Sequence, residues 1–473
     1  MHSRRYSALA RTLSGVLAAV LATSCSLTPS PETPEIVQGI EALPTFDGAS
    51  ERSTDESSRL GWWAAVGGDE LGEYVDVLRK DSLVLAEARL QALQSRELTR
   101  QARSARLPSA SASVDATSTR VPGPNENGIY TEDYTGSLAA SFDTDVFGGL
   151  RASERAAQLN ALAAELTYRA TEQREIATLA KNWVSAATLQ RRLDLANSIA
   201  ESFRATYELT DQRYRAGSSS SSASDVQIAL QNYDTARVDI PDLATQLATQ
   251  LLAIDEQLVR LPGQTAAAFQ GQFQPEYNAA ALLGQPASLL ANRPDVAAAE
   301  LRYRAALEDV GAARANLYPA LSLTAALTFQ SETPSDLFDW GEHIGSLASA
   351  LVQPVFQGGR LRSQVRLDQA RAEELAAAFA RTTLGAVIDV EIALANLAGL
   401  DEQRERLIAA VTSARISDDI AQSRYRQGLT SILAVLETQR GLNTAQQNLI
   451  LIEQALLNAQ IDLFLGLGGV WIN

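Results

Sequence analysis

Side chains able to catalyse a reaction are scarce in this 473-residue chain. Its histidines are His2 and His343, no serine or cysteine lies beside a plausible general base, and no residues have metal-ligand spacing. The glycine pairs at 148–149 and 358–359 lack the setting of a phosphate-binding loop and are interpreted as junctions between strands and helices. We therefore expect a protein that is not an enzyme and that binds no metal or cofactor.

One covalent modification is predicted, at Cys25, the only cysteine in the chain. Arg4 and Arg5 lie near the N-terminus and an apolar run over about 13–22 follows, so residues 1–24 are typical of an export signal, and the run is too short to span a membrane. Residues 21–25 resemble a bacterial lipobox, in which the cysteine becomes the acylated N-terminus. This resemblance predicts a lipid anchor at Cys25; the alternative is an ordinary signal peptide that contains a cysteine.

The residues after Cys25 predict a membrane address and a tether. By resemblance to bacterial lipoproteins, Ser26 at the position after the cysteine indicates the outer membrane. Residues 25–59 are rich in proline, serine, threonine and acids, and we expect them to form an extended, lipid-anchored tether.

Composition and periodicity predict long helices. Hydrophobic residues make up 46% of the chain and aromatic residues only 6%, while the net charge of -16 argues against nucleic-acid binding. Residues 360–426 are predicted to form one very long helix, followed by a second over about 431–464. Apolar positions three and four apart form a coiled-coil seam that Arg404 and Asp418 interrupt. Gly428 between the helices suits the left-handed conformation that ends a helix.

The chain contains this arrangement twice. The motif at 214–217 recurs at 425–428, and the motif at 107–111 recurs with the same spacing at 318–322. We interpret this as a tandem duplication. Repeat 1 (60–270) and repeat 2 (271–473) are each predicted to contain a helix, two strands and a helical hairpin, with hairpin tips near Gly217 and Gly428.

Two breaks are expected inside the helices of repeat 1. Its first helix, over about 70–106, is expected to be interrupted near 81–82, whereas the counterpart in repeat 2 covers about 295–316. Pro241 is expected to kink or break the return helix of the first hairpin, because proline cannot donate the hydrogen bond that the helix interior requires.

Each repeat also contains two segments that alternate with a period of two. Strands are predicted near 110–118, 137–146, 321–330 and 346–356, with lengths suited to a tilted strand that crosses a bilayer. The alternative is a soluble hairpin with one wet face. Because four strands cannot close a barrel and an open edge in lipid leaves backbone groups unpaired, several chains must share one barrel if the strands lie in the membrane.

These landmarks together resemble the bacterial outer-membrane efflux channel family, the TolC-like outer membrane factors, and in particular the lipoprotein branch of tripartite efflux systems. The resemblance covers roughly residues 60 to 470. The matching residues are Trp62-Trp63, Arg293-Pro294-Asp295-Val296, Tyr318-Pro319, Pro354-Val355-Phe356, and the paired Arg213-Tyr214 to Gly217 and Arg424-Tyr425 to Gly428.

The resemblance implies a mixed fold of α-helices and transmembrane β-strands. In such a homotrimer each chain gives four strands to a twelve-stranded β-barrel, which a long periplasmic α-helical coiled-coil tube continues. The assembly is implied to be a passive, gated conduit in the outer membrane that exports small molecules such as drugs, toxic compounds or metal ions. The implied partners are a periplasmic adaptor, or membrane fusion protein, at the hairpin tips and an inner-membrane transporter of the RND type.

The resemblance also suggests gate residues at the tips. The family places acids about six and nine residues after the hairpin glycine, where repeat 2 has Ala434 and Glu437, and Asp225 matches the nearer acid in repeat 1 only with a two-residue insertion. Tyr425 matches a tyrosine of the family's gate, but Thr430 replaces an arginine. Our hypothesis is that Asp225 and Tyr425 hold neighbouring tips together while Glu437 rings the pore and favours cations. The alternative is that all three are ordinary surface residues.

Two other functions remain open at this point. The chain could be the outer-membrane channel of a type I protein secretion system, although the lipobox favours the efflux branch. It could also be a non-conducting, lipid-tethered envelope spacer, although a rod-shaped spacer would not require alternating segments of bilayer length.

Overall fold

The computed structural model describes residues 27–42, 62–122, 129–217, 221–271 and 293–468. The predicted signal at 1–24, Cys25 and the end of the predicted tether lie outside these residues. Within them, the helices are α1 (Glu35–Glu41), α2 (Trp63–Asp81), α3 (Leu83–Ser104), α4 (Gly149–Arg215), α5 (Ala223–Ala236), α6 (Asp239–Gln257), α7 (Gln264–Ala268), α8 (Pro294–Ala315), α9 (Arg360–Arg426) and α10 (Ile432–Gly466).

The strands form one antiparallel sheet in the order β1-β2-β3-β4. Their bounds are β1 (Ser109–Val121), β2 (Ile129–Thr144), β3 (Ala320–Ser331) and β4 (His343–Val352). Strand β2 begins earlier than predicted and β4 ends earlier. The predicted extension of β4 to residue 356 is wrong, because Pro354 has no N–H to donate to a ladder and the Gln353 side chain turns to the Leu317 carbonyl instead.

The helix breaks of repeat 1 lie at or near their predicted positions. Ser82 separates α2 from α3, and its hydroxyl accepts a hydrogen bond from the Leu85 amide. The return helix is interrupted at Arg237 and Val238, a few residues before Pro241. Proline is tolerated in the first turn of a helix, so Pro241 lies just inside the start of α6 and the break precedes it.

The chain divides into two compact units that each draw on both repeats. The first unit consists of residues up to 34, 90–166 and 298–380, and it contains the sheet. The second consists of 35–89, 167–297 and 381–473, and it contains the hairpin turns. The predicted tether is not extended throughout, because residues 35–41 form α1, in which Val37 and Ile40 are buried.

Each unit has its own apolar core. In the second unit, Trp183 is fully buried in a cluster with residues of α2, α4, α6 and α10. A smaller cluster lies near the hairpin turns and includes Phe203, Tyr425 and Leu436. The first unit packs α8 against α9 through Tyr303, whose ring contacts a cluster that includes Ala372. Helices α9 and α10 are also long and apolar enough to cross a membrane, by length and composition alone, as the core helix of a soluble protein can be.

Candidate channel wall and hairpin gate

One face of the sheet is lined by hydroxyl groups. Across β1 and β2, the side chains of Ser109 and Ser141 form an Oγ–Oγ hydrogen bond of 2.8 Å, and those of Ser113 and Ser137 form one of 2.9 Å. The cross-strand register continues this face through Thr324 and its neighbours on β3. Its charged members within the strands are the acids Asp115, Asp133 and Asp143, and none is basic. A wall of this kind suits an aqueous passage.

The opposite face is largely apolar, with Arg120 and Glu132 toward its β1–β2 loop end. Leu138 of β2 lies opposite Leu327 of β3, and Ala325 lies opposite Leu347 of β4. Leu347 is 85% exposed and Leu138 is 54% exposed. Leucines exposed in this way are unfavourable in water but not in hydrocarbon, so this face is suited to contact lipid.

Aromatic side chains lie at both ends of the sheet. At the end of the β3–β4 loop, the Phe329 ring centroid is 5.9 Å from that of Phe338 and 5.6 Å from that of Trp340. At the other end, the rings of Phe147 and Tyr318 stack at 4.8 Å. Aromatic girdles of this kind mark the two lipid–water interfaces of membrane barrels. The aliphatic band between them therefore corresponds to the hydrocarbon layer.

The sheet ends in two unpaired edges. Strands β1 and β4 are the outer strands, and every residue of β4 is exposed. In lipid, the free N–H and C=O groups of these edges need partners. The sheet is thus incomplete as a membrane-spanning element.

At the other candidate site, both hairpins turn at a glycine. Gly217 and Gly428 have φ angles of +73° and +76°, which residues with a side chain rarely adopt. After α9, the Gly428 amide donates to the Tyr425 carbonyl and the Leu429 amide donates to the Arg424 carbonyl. This pair of hydrogen bonds is the Schellman arrangement that ends a helix.

Tyr425 is held by two residues of α4. Its side chain is only 2% exposed, and its hydroxyl lies 2.9 Å from the Thr210 hydroxyl. The Arg213 guanidinium lies 4.8 Å from the centre of the Tyr425 ring, and its Nη1 donates to the Tyr425 carbonyl at 2.6 Å. Arg213 therefore supplies both a cation–π contact and a cap for the C-terminal carbonyls of α9.

The other two predicted gate residues do not meet Tyr425 in this chain. Asp225 forms a capping box with Ser222: its carboxylate accepts from the Ser222 amide at 2.8 Å, and the Ser222 hydroxyl accepts from the Asp225 amide. Within one chain, Tyr425 instead contacts Thr210 and Arg213, and the predicted role of Asp225 between neighbouring tips stays a prediction. The Glu437 side chain is 79% exposed, with its carboxylate 3.8 Å from the Arg440 guanidinium.

Sequence reasoning missed a buried polar layer next to the turn. Gln439 of α10 donates to Ser202 at 3.0 Å and to Thr206 at 2.9 Å. Asp418, one of the two seam interruptions, is 5% exposed and accepts hydrogen bonds from Thr438 and Gln422. Burial raises the pKa of Asp418, and these hydrogen bonds offset part of the effect. The sequence signal for this polar layer was the spacing of four between Ser202, Thr206 and Thr210 on α4.

A family model described as "Outer membrane efflux protein" matches residues 75–258 and 286–469. The chain belongs to this family. The two matched segments fit the two predicted repeats. The predicted family and the predicted combination of membrane strands with a helical tube are therefore confirmed.

Related proteins extend the match over most of the chain. Pyoverdine export outer membrane protein OpmQ of Pseudomonas putida is 32% identical over 425 residues, which cover 87% of this chain and 88% of that protein. Toluene efflux pump outer membrane protein TtgF of Pseudomonas putida is 31% identical over 465 residues, which cover 96% of each chain. The crystal structure of the open state of the Neisseria gonorrhoeae MtrE outer membrane channel has a TM-score of 0.83 at 23% identity and covers 94% of this chain and 98% of that one.

The chain is therefore an outer-membrane component of an efflux system, and members of its family are transport conduits rather than enzymes. In this efflux protein, Arg293 of the matched motif has a structural position in the second unit. Its guanidinium lies 2.8 Å from the Asp295 carboxylate and donates to the Gly466 carbonyl at 3.2 Å. Burial opposes ionisation of both groups, but their hydrogen bond, their opposite charges and the neighbouring hydrogen-bonding and charged groups together outweigh it, raising the pKa of Arg293 and lowering that of Asp295.

Proposed function

We propose that three copies of the chain close one barrel and form the outer-membrane conduit of a tripartite efflux pump. The observation that carries this proposal is the sheet, with one hydroxyl face, one apolar face and two unpaired edges. Pairing β4 of each copy with β1 of the next turns four strands per chain into twelve and leaves no edge in lipid. The hydroxyl faces then line the passage and the exposed leucines contact lipid.

The proposed cargo is a small molecule such as a drug, a toxic compound or a metal ion. Relatives are named for pyoverdine export and for toluene efflux, which supports small cargo over the secretion of whole proteins. Cargo selection is assigned in this proposal to an inner-membrane transporter of the RND type. A periplasmic adaptor would link that transporter to the hairpin tips near Gly217 and Gly428.

We further propose that Tyr425 belongs to the gate at the tips. Its contacts with Thr210 and Arg213 hold the end of α9 to α4 within one chain, so each chain's two turns move together. Asp225 acts by capping α5, which fixes the start of the first return helix. Glu437, exposed on α10, supplies the ring of acids at the mouth, where three like charges would favour cations.

The proposal includes acylation of Cys25. The residues before it resemble a lipobox, and the outer-membrane location is that of the family. The intact mass of the mature protein tests this step: an acylated chain begins at Cys25 and carries the mass of its acyl groups, whereas a chain without added mass contradicts the lipid anchor.

The experiment for the conduit itself combines mass and conductance. Protein extracted from membranes by detergent is measured by native mass spectrometry and then reconstituted into a planar bilayer. We expect a trimer and discrete conductance steps with a preference for cations. A monomer, or a trimer with no conductance even when the tip contacts are removed by Tyr425→Ala, would favour the non-conducting spacer.

A further inference from the structure

The segment that follows the predicted lipid anchor is bound along a helix of the first unit. The bound segment consists of residues 27–32, and it lies along the side of α8 between Tyr303 and Arg314. The Arg314 guanidinium donates to the Leu27 carbonyl at 3.1 Å. At the other end, the Tyr303 hydroxyl accepts from the Glu32 amide and donates to the Glu32 carbonyl, both at 3.2 Å.

The segment lies antiparallel to α8, and the two lengths match. From Tyr303 to Arg314 the helix rises about 17 Å at 1.5 Å per residue. From Leu27 to Glu32 an extended chain also covers about 17 Å at 3.3 Å per residue. Pro29 and Pro31 favour this extended backbone, because each proline restricts its own φ angle and the residue before it. The register is therefore set at both ends.

Gly311 provides the space in which the segment lies. A Cβ atom built at this position would lie 2.4 Å from Thr28 Oγ1, 3.0 Å from Thr28 Cα and 3.1 Å from Thr28 N. The Thr28 hydroxyl donates to the Glu308 carboxylate at 2.8 Å, which fixes the contact. By contrast, a Cβ at Gly399 or Gly441, also within long helices, would meet nothing within 4 Å. Gly311 is buried and disfavours a helix, so its presence has a packing reason here.

We propose that this side of α8 is a docking site for residues 27–32 and that it delivers the anchor to the rim of the sheet. Leu27 is two residues from Cys25, which limits their separation to about 7 Å. Arg314, its partner, lies just before β3 at the end of the sheet where Phe147 and Tyr318 stack. The acyl chains would thus enter the bilayer beside the strands, instead of anywhere within reach of a free tether. This consequence rests on the proposed acylation of Cys25.

Hydrogen–deuterium exchange of the full-length protein in detergent tests the docking. The reporter is the Glu32 amide, and the variant is Gly311→Ala, which raises helix propensity but places a methyl group against Thr28. We expect the Glu32 amide to exchange at least ten times faster in this variant than in the wild type. Gly399→Ala, with open space around the new methyl group, should leave the exchange unchanged. Equal exchange in wild type and Gly311→Ala would overturn the proposal.

A second variant separates docking from any change in the helix. Tyr303→Phe keeps the buried ring but removes both hydrogen bonds to Glu32, so the Glu32 amide should again exchange faster while α8 stays protected. If Glu32 is unprotected in the wild-type protein already, no docking site exists.

The delivery step needs a readout of position. A benzophenone side chain placed at the exposed Asn316, just beyond Arg314, should capture the N-terminal peptide, and mass spectrometry shows whether that peptide carries acyl groups. Capture should be lost in Gly311→Ala. Capture of a peptide without acyl groups would refute the lipid anchor while leaving the docking intact, whereas an acylated chain with equal capture in both proteins would refute the docking alone.

Discussion

The two hairpin turns share a motif, yet the tyrosine of that motif is exposed in one turn and buried in the other. Tyr214 and Tyr425 each lie three residues before the turn glycine, and each follows an arginine. Tyr214 is 45% exposed, whereas Tyr425 is 2% exposed and hydrogen-bonded to Thr210. The same local sequence therefore gives a surface residue in repeat 1 and a buried one in repeat 2.

The difference shows how duplicated hairpins became partners. Four residues before Tyr425 lies Ala421, which has no hydroxyl, whereas the same position in repeat 1 is Thr210. Repeat 1 thus supplies the Thr210 hydroxyl and the Arg213 guanidinium, and repeat 2 supplies the hydroxyl, ring and carbonyl of Tyr425 that they contact. A contact between the repeats requires that they differ, so the asymmetry at the turn is a feature of the site.

The largest expected effect comes from removing the rings. Tyr425→Ala removes a buried aromatic side chain from a packed cluster, which typically costs about 3–5 kcal/mol. Tyr214→Ala, at an exposed position, is expected to change stability by less than about 0.5 kcal/mol. Native-state hydrogen exchange of the amides at 421–427 measures the local opening free energy. An equal decrease in this opening free energy in both variants would contradict the distinction between the two turns.

The arginines give the next comparison. Arg213→Ala removes a charged hydrogen bond to a helix-terminal carbonyl and a cation–π contact, with an expected cost of about 1–2 kcal/mol because the site is partly exposed. Arg424→Ala changes the exposed counterpart in repeat 2 and should cost much less. Arg213→Lys should recover only part of the loss, since lysine keeps the charge but not the planar fork. The same exchange measurement checks all three, and full recovery by lysine would mean that charge alone is sufficient.

The hydroxyl groups give a smaller effect. Tyr425→Phe keeps the ring and removes the hydrogen bond between the Tyr425 and Thr210 hydroxyls, while Thr210 still donates to the Thr206 carbonyl, at an expected cost of about 1 kcal/mol. Tyr214→Phe should have no measurable effect. The midpoint of thermal unfolding, compared between the two variants, checks this prediction, and a larger shift for Tyr214→Phe would contradict it.

The smallest effect concerns the buried acid that only repeat 2 carries, since Tyr207 occupies the corresponding position of repeat 1. Burial raises the folded-state pKa of Asp418, so the folded protein binds more protons than the unfolded chain between the two pKa values. Stability therefore falls as the pH rises through that window, and the ionised group remains unfavourable above it.

Asp418→Asn should accordingly raise the unfolding temperature at neutral pH and lose this advantage in acid below the unfolded-state pKa. Asp419→Asn removes the same charge at an exposed neighbouring position and is the matched control; it should leave the unfolding temperature nearly unchanged. A gain for Asp418→Asn that is the same at every pH would mean that ionisation is not its cause.

Much of the fold follows from local pattern, and most of the gate does not. Residues 360–426 keep a helical period without proline, and the structure has α9 over that range. The four strands were predictable because their alternation is local, although only the pairing shows that Ser109 meets Ser141. By contrast, the roles of Thr210 and Arg213 depend on their contacts with Tyr425, which lies far along the chain. No local period distinguishes Tyr425 from Tyr214, so burial had to be observed.

The single-channel conductance of the reconstituted protein tests the account most directly. Wild type, Arg213→Ala and Arg424→Ala are compared in planar bilayers at one ionic strength. If the contact of Arg213 with Tyr425 holds the tips together, Arg213→Ala raises the conductance or the open probability, while Arg424→Ala behaves like the wild type. Equal behaviour of all three proteins, or an equal rise in both variants, would contradict the role of this contact in the gate.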